Sequence, residues 1–149
     1  MEERLTAGIT QERVLPRVLI IGYGPAGSQL TAQLVKLNKF DITVITPFDF
    51  QEVSLRMTGA IVSPQATHES AIYDLVREPG VNYVIGRCTR LTNEAATVND
   101  NQAVEFDVCV VCCGQNVPNF LPNPVADNSR AARLSNFAAV GASIRAAKA

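Results

Sequence analysis

The feature that most limits how this chain folds is the run Gly22-Tyr23-Gly24-Pro25-Ala26-Gly27, directly behind the apolar stretch Arg17-Val18-Leu19-Ile20-Ile21. A continuous aliphatic run of that length reads as a strand buried on both faces. Beyond the glycines, Ala26, Leu30, Leu34 and Leu37 recur at helical spacing. Asn38 suits the left-handed position that closes a helix. Asp41-Ile42-Thr43-Val44-Ile45 is then a second strand, stopped by Pro47. Strand, helix and strand within about thirty residues make a βαβ unit, with the helix as a right-handed crossover between parallel strands.

In that unit each glycine has a task. Gly22 allows the tight turn out of the strand, Gly24 lets backbone approach a pyrophosphate, and Gly27 lets the helix pack closely. The helix start then offers free N–H groups and a positive dipole end to phosphates. The G-x-G-x-x-G spacing alone is a weak signal. Its place between an apolar strand and an amphipathic helix makes it a dinucleotide cradle rather than a ligand-free turn. The second strand should end in an acid for the ribose 2′-hydroxyl. Thr46 stands there instead, a weaker partner than a carboxylate. Asp49 and Glu52 lie too far along to replace it, and no arginine follows directly to pair a 2′-phosphate.

The rest of the chain reads as follows. Residues 1–16 are a polar leader, and residues 50–67 are irregular. Residues 69–77 suggest a short helix with Ile72, Leu75 and Val76 on one side, and residues 83–85 a third strand. From residue 89 to 106, short β-like runs alternate with turns at Asn93 and at Asn99-Asp100-Asn101, which predicts an antiparallel meander. Residues 108–113 read as another fully buried strand, ending at Gly114, and residues 115–128 as a loop. Ser129 can cap a last helix running to about Lys148, with Leu134, Phe137, Ala138, Gly141 and Ile144 as its apolar stripe. The fold class is therefore α/β: a Rossmann-like parallel sheet with a small antiparallel β-meander.

Composition narrows the function. At 149 residues the chain suits one domain with a real core. A net charge of −1 gives no electrostatic case for nucleic acid. Three of the four cysteines (Cys109, Cys112 and Cys113, with Cys88 apart) crowd one apolar stretch, unlike a disulfide framework. The C-x-x-C spacing inside a strand points Cys109 and Cys112 to opposite faces, which argues against a metal or dithiol site. His68, with no acid or nucleophile identifiable beside it, reads as a surface residue. No catalytic and no metal-ligating residue is expected. No signal peptide or spanning segment is evident, and a reducing cytoplasmic setting is expected, with membrane-associated or mitochondrial sites as alternatives.

The residues 18–27 together with Phe106-Asp107-Val108-Cys109-Val110-Val111-Cys112-Cys113-Gly114 resemble the FAD domain of flavoproteins with two dinucleotide domains. Cys112-Cys113-Gly114 stands where Ala-Thr-Gly is usual. Residues 45–56 are most similar to the ferroptosis suppressor protein 1-like branch, akin to type II NADH dehydrogenases. Members of that branch are FAD enzymes of the pyridine nucleotide-disulfide oxidoreductase superfamily that pass electrons from NAD(P)H to quinones. The resemblance implies FAD as cofactor, with its pyrophosphate on Gly22, Tyr23, Gly24, Pro25, Ala26 and Gly27 and its ribose near Thr46. It further implies Arg56 near the flavin, the Cys88 backbone at the adenine, and Cys113 and Gly114 close to the cofactor. The superfamily's redox-active cysteine pair is absent.

The resemblance also implies a continuation beyond Ala149. Residues 17–128 would be the FAD-binding domain, and residues 129–149 a helix leading into an NAD(P)H domain not in this sequence. A rival alignment sets residues 136–142 against the later Gly-Asp motif, with Ala142 for the aspartate. The expected function is the FAD-binding portion of a flavin-dependent NAD(P)H:quinone-type oxidoreductase. The alternatives are an inactive or non-enzymatic dinucleotide module and a stand-alone NAD(P)-binding Rossmann protein. An open sheet edge would favour self-association.

Overall fold

A computed structural model describes residues 15–63, 70–114 and 129–147, without the side chains of Ser54 and Leu55. The leader, His68 and the loop 115–128 therefore fall wholly or mostly outside the described residues. Four parallel strands form the central sheet: β1 (Arg17–Ile21), β2 (Asp41–Thr46), β5 (Val81–Ile85) and β9 (Val108–Val111), in the order β5-β2-β1-β9. Helix α1 (Pro25–Leu37) joins β1 to β2 and ends at Asn38, which has a left-handed φ of 49°. The meander is β6 (Cys88–Leu91), β7 (Ala95–Val98) and β8 (Gln102–Glu105), paired antiparallel as the turn signals predict. At its β7–β8 turn Asn99 and Asp100 both take positive φ, 50° and 63°, the geometry that closes a tight hairpin.

The strand alternation builds three layers. Val18, Ile20, Ile42 and Val44 face α1, where Leu30, Leu34 and Val35 pack on them. Leu19, Ile21, Ile45 and Val84 face the other way, against Ala96, Val98 and Phe106 of the meander and its exit. Cys109 joins the meander-side cluster and Cys112 the helix-side one, so the two thiols do point to opposite faces.

Several expectations need correction. The stripe of α1 is Gly27, Leu30, Thr31, Leu34 and Val35, whereas Ala26 and Leu37 are exposed. Gly27 must face inward, and that rotates the helix away from the stripe read in the sequence. Residues 50–67 are not irregular throughout. They hold β3 (Phe50–Glu52) and α2 (Ser54–Val62), with Met57, Ala60 and Ile61 buried. Of the helix expected at 69–77 only residues 70–71 are helical among the described residues, and β4 (Ile72–Asp74) follows at once, pairing antiparallel with β3. Strand β9 is not fully buried: Val108 is 52% and Val111 61% exposed, because β1 is its only strand neighbour among the described residues.

The last helix, α3 (Arg130–Ala146), is capped as predicted, with Ser129 Oγ accepting from Ala132 N–H at 3.3 Å. Its continuity through residues 136–142 rules out a Gly-Asp loop there. Its inward residues are Arg133, Phe137 and Gly141, while Ala138 and Ile144 face outward. Arg133 is only 1% exposed, pairs with Glu52 of β3 and lies 4.6 Å above the Phe137 ring. A Cβ on Gly141 would come within 2.1 Å of the Ile61 carbonyl, so α2 and α3 cross at close range. These contacts bind β3, β4, α2 and α3 into a third cluster beside the main sheet. No described helix is long and apolar enough to cross a membrane.

Arg17 fastens the entry to the sheet. Its side chain pairs with Asp107 at 2.9 Å and Glu105 at 2.7 Å, and its backbone N–H donates to Asp107 at 2.7 Å. Those bonds from Arg17 hold the exposed Asp107 carboxyl below its usual range. The folded value is thus lower than the unfolded one. The stabilisation is complete above about pH 4 and is lost as pH falls through the folded value. Asp107→Asn is expected to flatten the acid limb of a stability-versus-pH curve, measured by urea unfolding, while leaving its neutral region less stable than wild type.

Candidate dinucleotide site

The glycine loop sits where β1 and β9 end side by side. Gly22 N–H donates to the Ile45 carbonyl at 2.8 Å, and Cys112 N–H donates to the Ile21 carbonyl at 2.7 Å. Gly22 has φ of +100°, and a Cβ on it would lie 2.5 Å from the Cys112 carbonyl oxygen. A Cβ on Gly27 would lie 2.0 Å from the Gly22 carbonyl oxygen. Both positions therefore exclude any side chain. Gly24 differs: a Cβ there meets nothing within 4 Å, so the loop is open on that side. Pro25 opens α1 without an N–H to satisfy, and the first backbone bond runs from Ser28 N–H to the Gly24 carbonyl at 2.9 Å. Gly24, Ala26 and Gly27 keep N–H groups with no acceptor among the described residues. No acidic residue lies in the first turn. Unpaired N–H groups, a helix dipole and open space are what an anionic group needs.

Tyr23 is buried beneath this loop rather than open to a ligand. Glu78 N–H donates to Tyr83 Oη at 2.9 Å, Tyr83 Oη to Tyr23 Oη at 2.9 Å, and Tyr23 Oη to the Val76 carbonyl at 3.1 Å. The two rings meet edge to face, with centroids 5.2 Å apart. Burial, then the bond from Tyr83, pushes the Tyr23 phenol well above its ordinary range, so it stays protonated. Gln51 of β3 completes the brace. Its Nε2 donates to the Tyr23 carbonyl at 3.4 Å and its Oε1 accepts from Val76 N–H at 3.2 Å. Nothing in the sequence pattern singled out Gln51 or Tyr83. A buried glutamine is visible only once β3 is known to lie under the loop.

Thr46 ends β2 and is 3% exposed. Its carbonyl accepts from Gly86 N–H at 2.8 Å, and its hydroxyl oxygen accepts weakly from Phe48 N–H at 3.5 Å. The hydroxyl proton is thereby left to donate. Glu52 is taken by Arg133, which removes it as a substitute for the missing ribose acid. Cys88 opens β6, half-buried, with its thiol near the Arg90 carbonyl at 3.5 Å. Before it, a Cβ on Gly86 would crowd the side chains of Val98 and Asn99, at 2.5 and 2.7 Å.

Cys113 lies beside the loop, its thiol 3.5 Å from the Ile21 carbonyl, and Gly114 follows with φ of +68°. Burial, then the neighbouring thiols, pushes both Cys109 and Cys113 above the ordinary thiol range. That disfavours thiolate chemistry at neutral pH. Arg56 is placed elsewhere, on α2, where it is exposed and donates to the Ser70 carbonyl at 3.3 Å. The structure thus gathers Gly22, Tyr23, Gly24, Pro25, Ala26, Gly27, Cys113 and Gly114 at one sheet end. Thr46 flanks them on β2, and Cys88 follows the adjoining β5. Among the described residues no metal-binding cluster is present.

Sheet, meander and loop together define the class: a Rossmann-like domain of the kind found in FAD/NAD(P)-binding oxidoreductases. No protein-family model matches the chain. It is similar to apoptosis-inducing factor homolog B of Dictyostelium discoideum, 29% identical over 133 residues, covering 89% of this chain and 34% of that protein. It is also similar to homolog A of the same organism, 31% identical over 111 residues, covering 74% of this chain and 26% of that protein. The chain thus spans about a third or less of these curated relatives. Among solved structures, the sulfide:quinone oxidoreductase of Aquifex aeolicus matches with a TM-score of 0.67 at 13% identity, over 88% of this chain and 33% of that one. NDH2 of Plasmodium falciparum in complex with NADH matches at 0.56 and 17% identity, over 76% of this chain and 25% of that one. These structural likenesses show the fold.

The two kinds of glycine separate by mutation. Gly27→Ala is expected to cost about 2–3 kcal/mol, since its Cβ overlaps backbone that cannot yield cheaply. Gly24→Ala is expected to stay within about 1 kcal/mol of wild type, because its backbone suits alanine. Only its nucleotide binding should fall. Urea unfolding and nucleotide titration of both variants check this.

Proposed function

We propose that this chain is the FAD-binding portion of a flavin-dependent NAD(P)H:quinone-type oxidoreductase. The observation that carries the reading is the open face at Gly24, flanked by unpaired N–H groups and backed by two glycines that admit no side chain. A meander followed by the strand ending near Gly114 supports FAD over NAD(P), given the flavoproteins that this arrangement resembles. One structural neighbour is a sulfide:quinone oxidoreductase and another is NDH2 in complex with NADH, which supports the choice of electron acceptor and donor.

FAD, when bound, supplies the electron-transfer chemistry. The chain's own residues bind and orient it. The N–H groups of Gly24, Ala26 and Gly27 hold the pyrophosphate at the positive end of α1. The Thr46 hydroxyl donates to the ribose, and the backbone at Cys88 meets the adenine. Cys113 and Gly114 border the cofactor, and Arg56 serves the flavin end. Residues 17–128 form the binding domain, and residues 129–149 lead toward an NAD(P)H domain. The exposed edge of β9 suits association with another copy or with further chain. A cytoplasmic setting, membrane-associated or mitochondrial in the alternative, completes the reading.

The absorbance spectrum after reconstitution with FAD and gel filtration tests it. A flavin spectrum eluting with the protein is the expected result. A colourless protein that still binds adenosine nucleotides would turn the reading toward a plain NAD(P)-binding or non-enzymatic module. NADH oxidation with a quinone by this chain alone would contradict the assignment of the NAD(P)H site to another domain.

A further inference from the structure

Resting on the reading of the loop as a pyrophosphate cradle, we infer that Gln51 is the positioning residue that turns the Tyr23–Gly24 peptide toward the anion. The peptide is trans, and in a trans peptide the C=O and the following N–H point in opposite directions. Gln51 Nε2 holds the Tyr23 carbonyl at 3.4 Å on the buried side of the loop. The Gly24 N–H is thereby directed to the opposite side, where it finds no acceptor among the described residues, and Gly24 itself is exposed. With the peptide turned over, the carbonyl oxygen would face the phosphate and repel it.

Gln51 cannot easily swing away. It is buried, and its Oε1 is engaged by Val76 N–H at 3.2 Å. Val76 is in turn tied to the same tyrosine through its carbonyl and Tyr23 Oη at 3.1 Å. One side chain therefore connects β3, the segment after β4 and the cradle. The amide serves both ends at once, with a donor for the carbonyl and an acceptor for the N–H, which neither a carboxylate nor an aliphatic side chain of that length can do. Gln51→Glu would set a second oxygen against the Tyr23 carbonyl, and Gln51→Leu would leave both backbone groups unpaired.

The test compares ADP, which carries a pyrophosphate, with adenosine, which does not, by calorimetric titration of the full chain. Gln51→Leu and Gln51→Glu are expected to weaken ADP by about tenfold or more and to leave adenosine within about twofold, the discrimination of a misdirected phosphate-binding amide. Arg130→Met loosens the same lateral unit at the Ile72 carbonyl without touching Gln51 or the tyrosines, and is expected to leave ADP within about twofold of wild type. Equal losses for both ligands, no loss for either, or an Arg130→Met loss matching that of Gln51→Leu would overturn the inference alone. Failure of the wild-type chain to bind ADP would overturn the cradle itself, and the inference with it. Should the Gln51 variants not fold, the Gly24 amide resonance of wild type decides. A downfield shift on adding ADP and none on adding adenosine supports the inference, and an unmoved resonance refutes it.

Discussion

Gly27 of α1 rests on the carbonyl of Gly22, at a separation that no Cβ could occupy. That approach sets the rotation of α1. With Gly27 inward, Leu30, Thr31, Leu34 and Val35 must follow, and they cover Val18, Ile20, Ile42 and Val44. It also sets the loop, because Gly22 is pinned from the other side by the Cys112 carbonyl at the end of β9. Helix, first strand and last strand thus converge on one glycine. The same geometry leaves the amides at the start of α1 unpaired beside the open face at Gly24. The core packing and the open face at Gly24 are both consequences of a single close contact.

Around that point the molecule divides its work. The sheet with its helix and meander is held by apolar burial on both faces. The lateral unit of β3, β4, α2 and α3 relies on closer, more polar joints: Arg133 on Glu52, Arg130 with the Ile72 carbonyl at 3.2 Å, and Gly141 against Ile61. Breaking a buried ion pair by removing one partner commonly costs about 3–5 kcal/mol, so the Arg133 joint bears heavily on this unit. The unit is connected to the cradle through Gln51, which puts a residue of β3 directly beneath the loop. Tyr23 and Tyr83 carry the connection onward to residues 76–78.

Sequence reasoning reached the parallel sheet, the glycine loop, the meander and the cap at Ser129, because each rests on local signals of period, turn chemistry or capping. It failed where partners distant in sequence decide. Phe50-Gln51-Glu52 is too short to announce a strand, and it becomes one only by pairing with Ile72-Tyr73-Asp74. Arg133 looks like a surface residue until Glu52 lies beside it. Val108 and Val111 look like core, since hydropathy cannot tell an edge strand from a central one. Within the site, the glycines were legible, whereas the brace beneath them, made of Gln51, Tyr23 and Tyr83, depends on three separate segments meeting.

Crystals grown with FAD decide whether this loop holds the pyrophosphate of an adenine dinucleotide. Pyrophosphate oxygens are expected within hydrogen-bonding distance of the Gly24, Ala26 and Gly27 N–H groups, with the adenosine running toward Thr46 and Cys88. A dinucleotide lying on another surface, with the glycine loop bare and solvated, would contradict it.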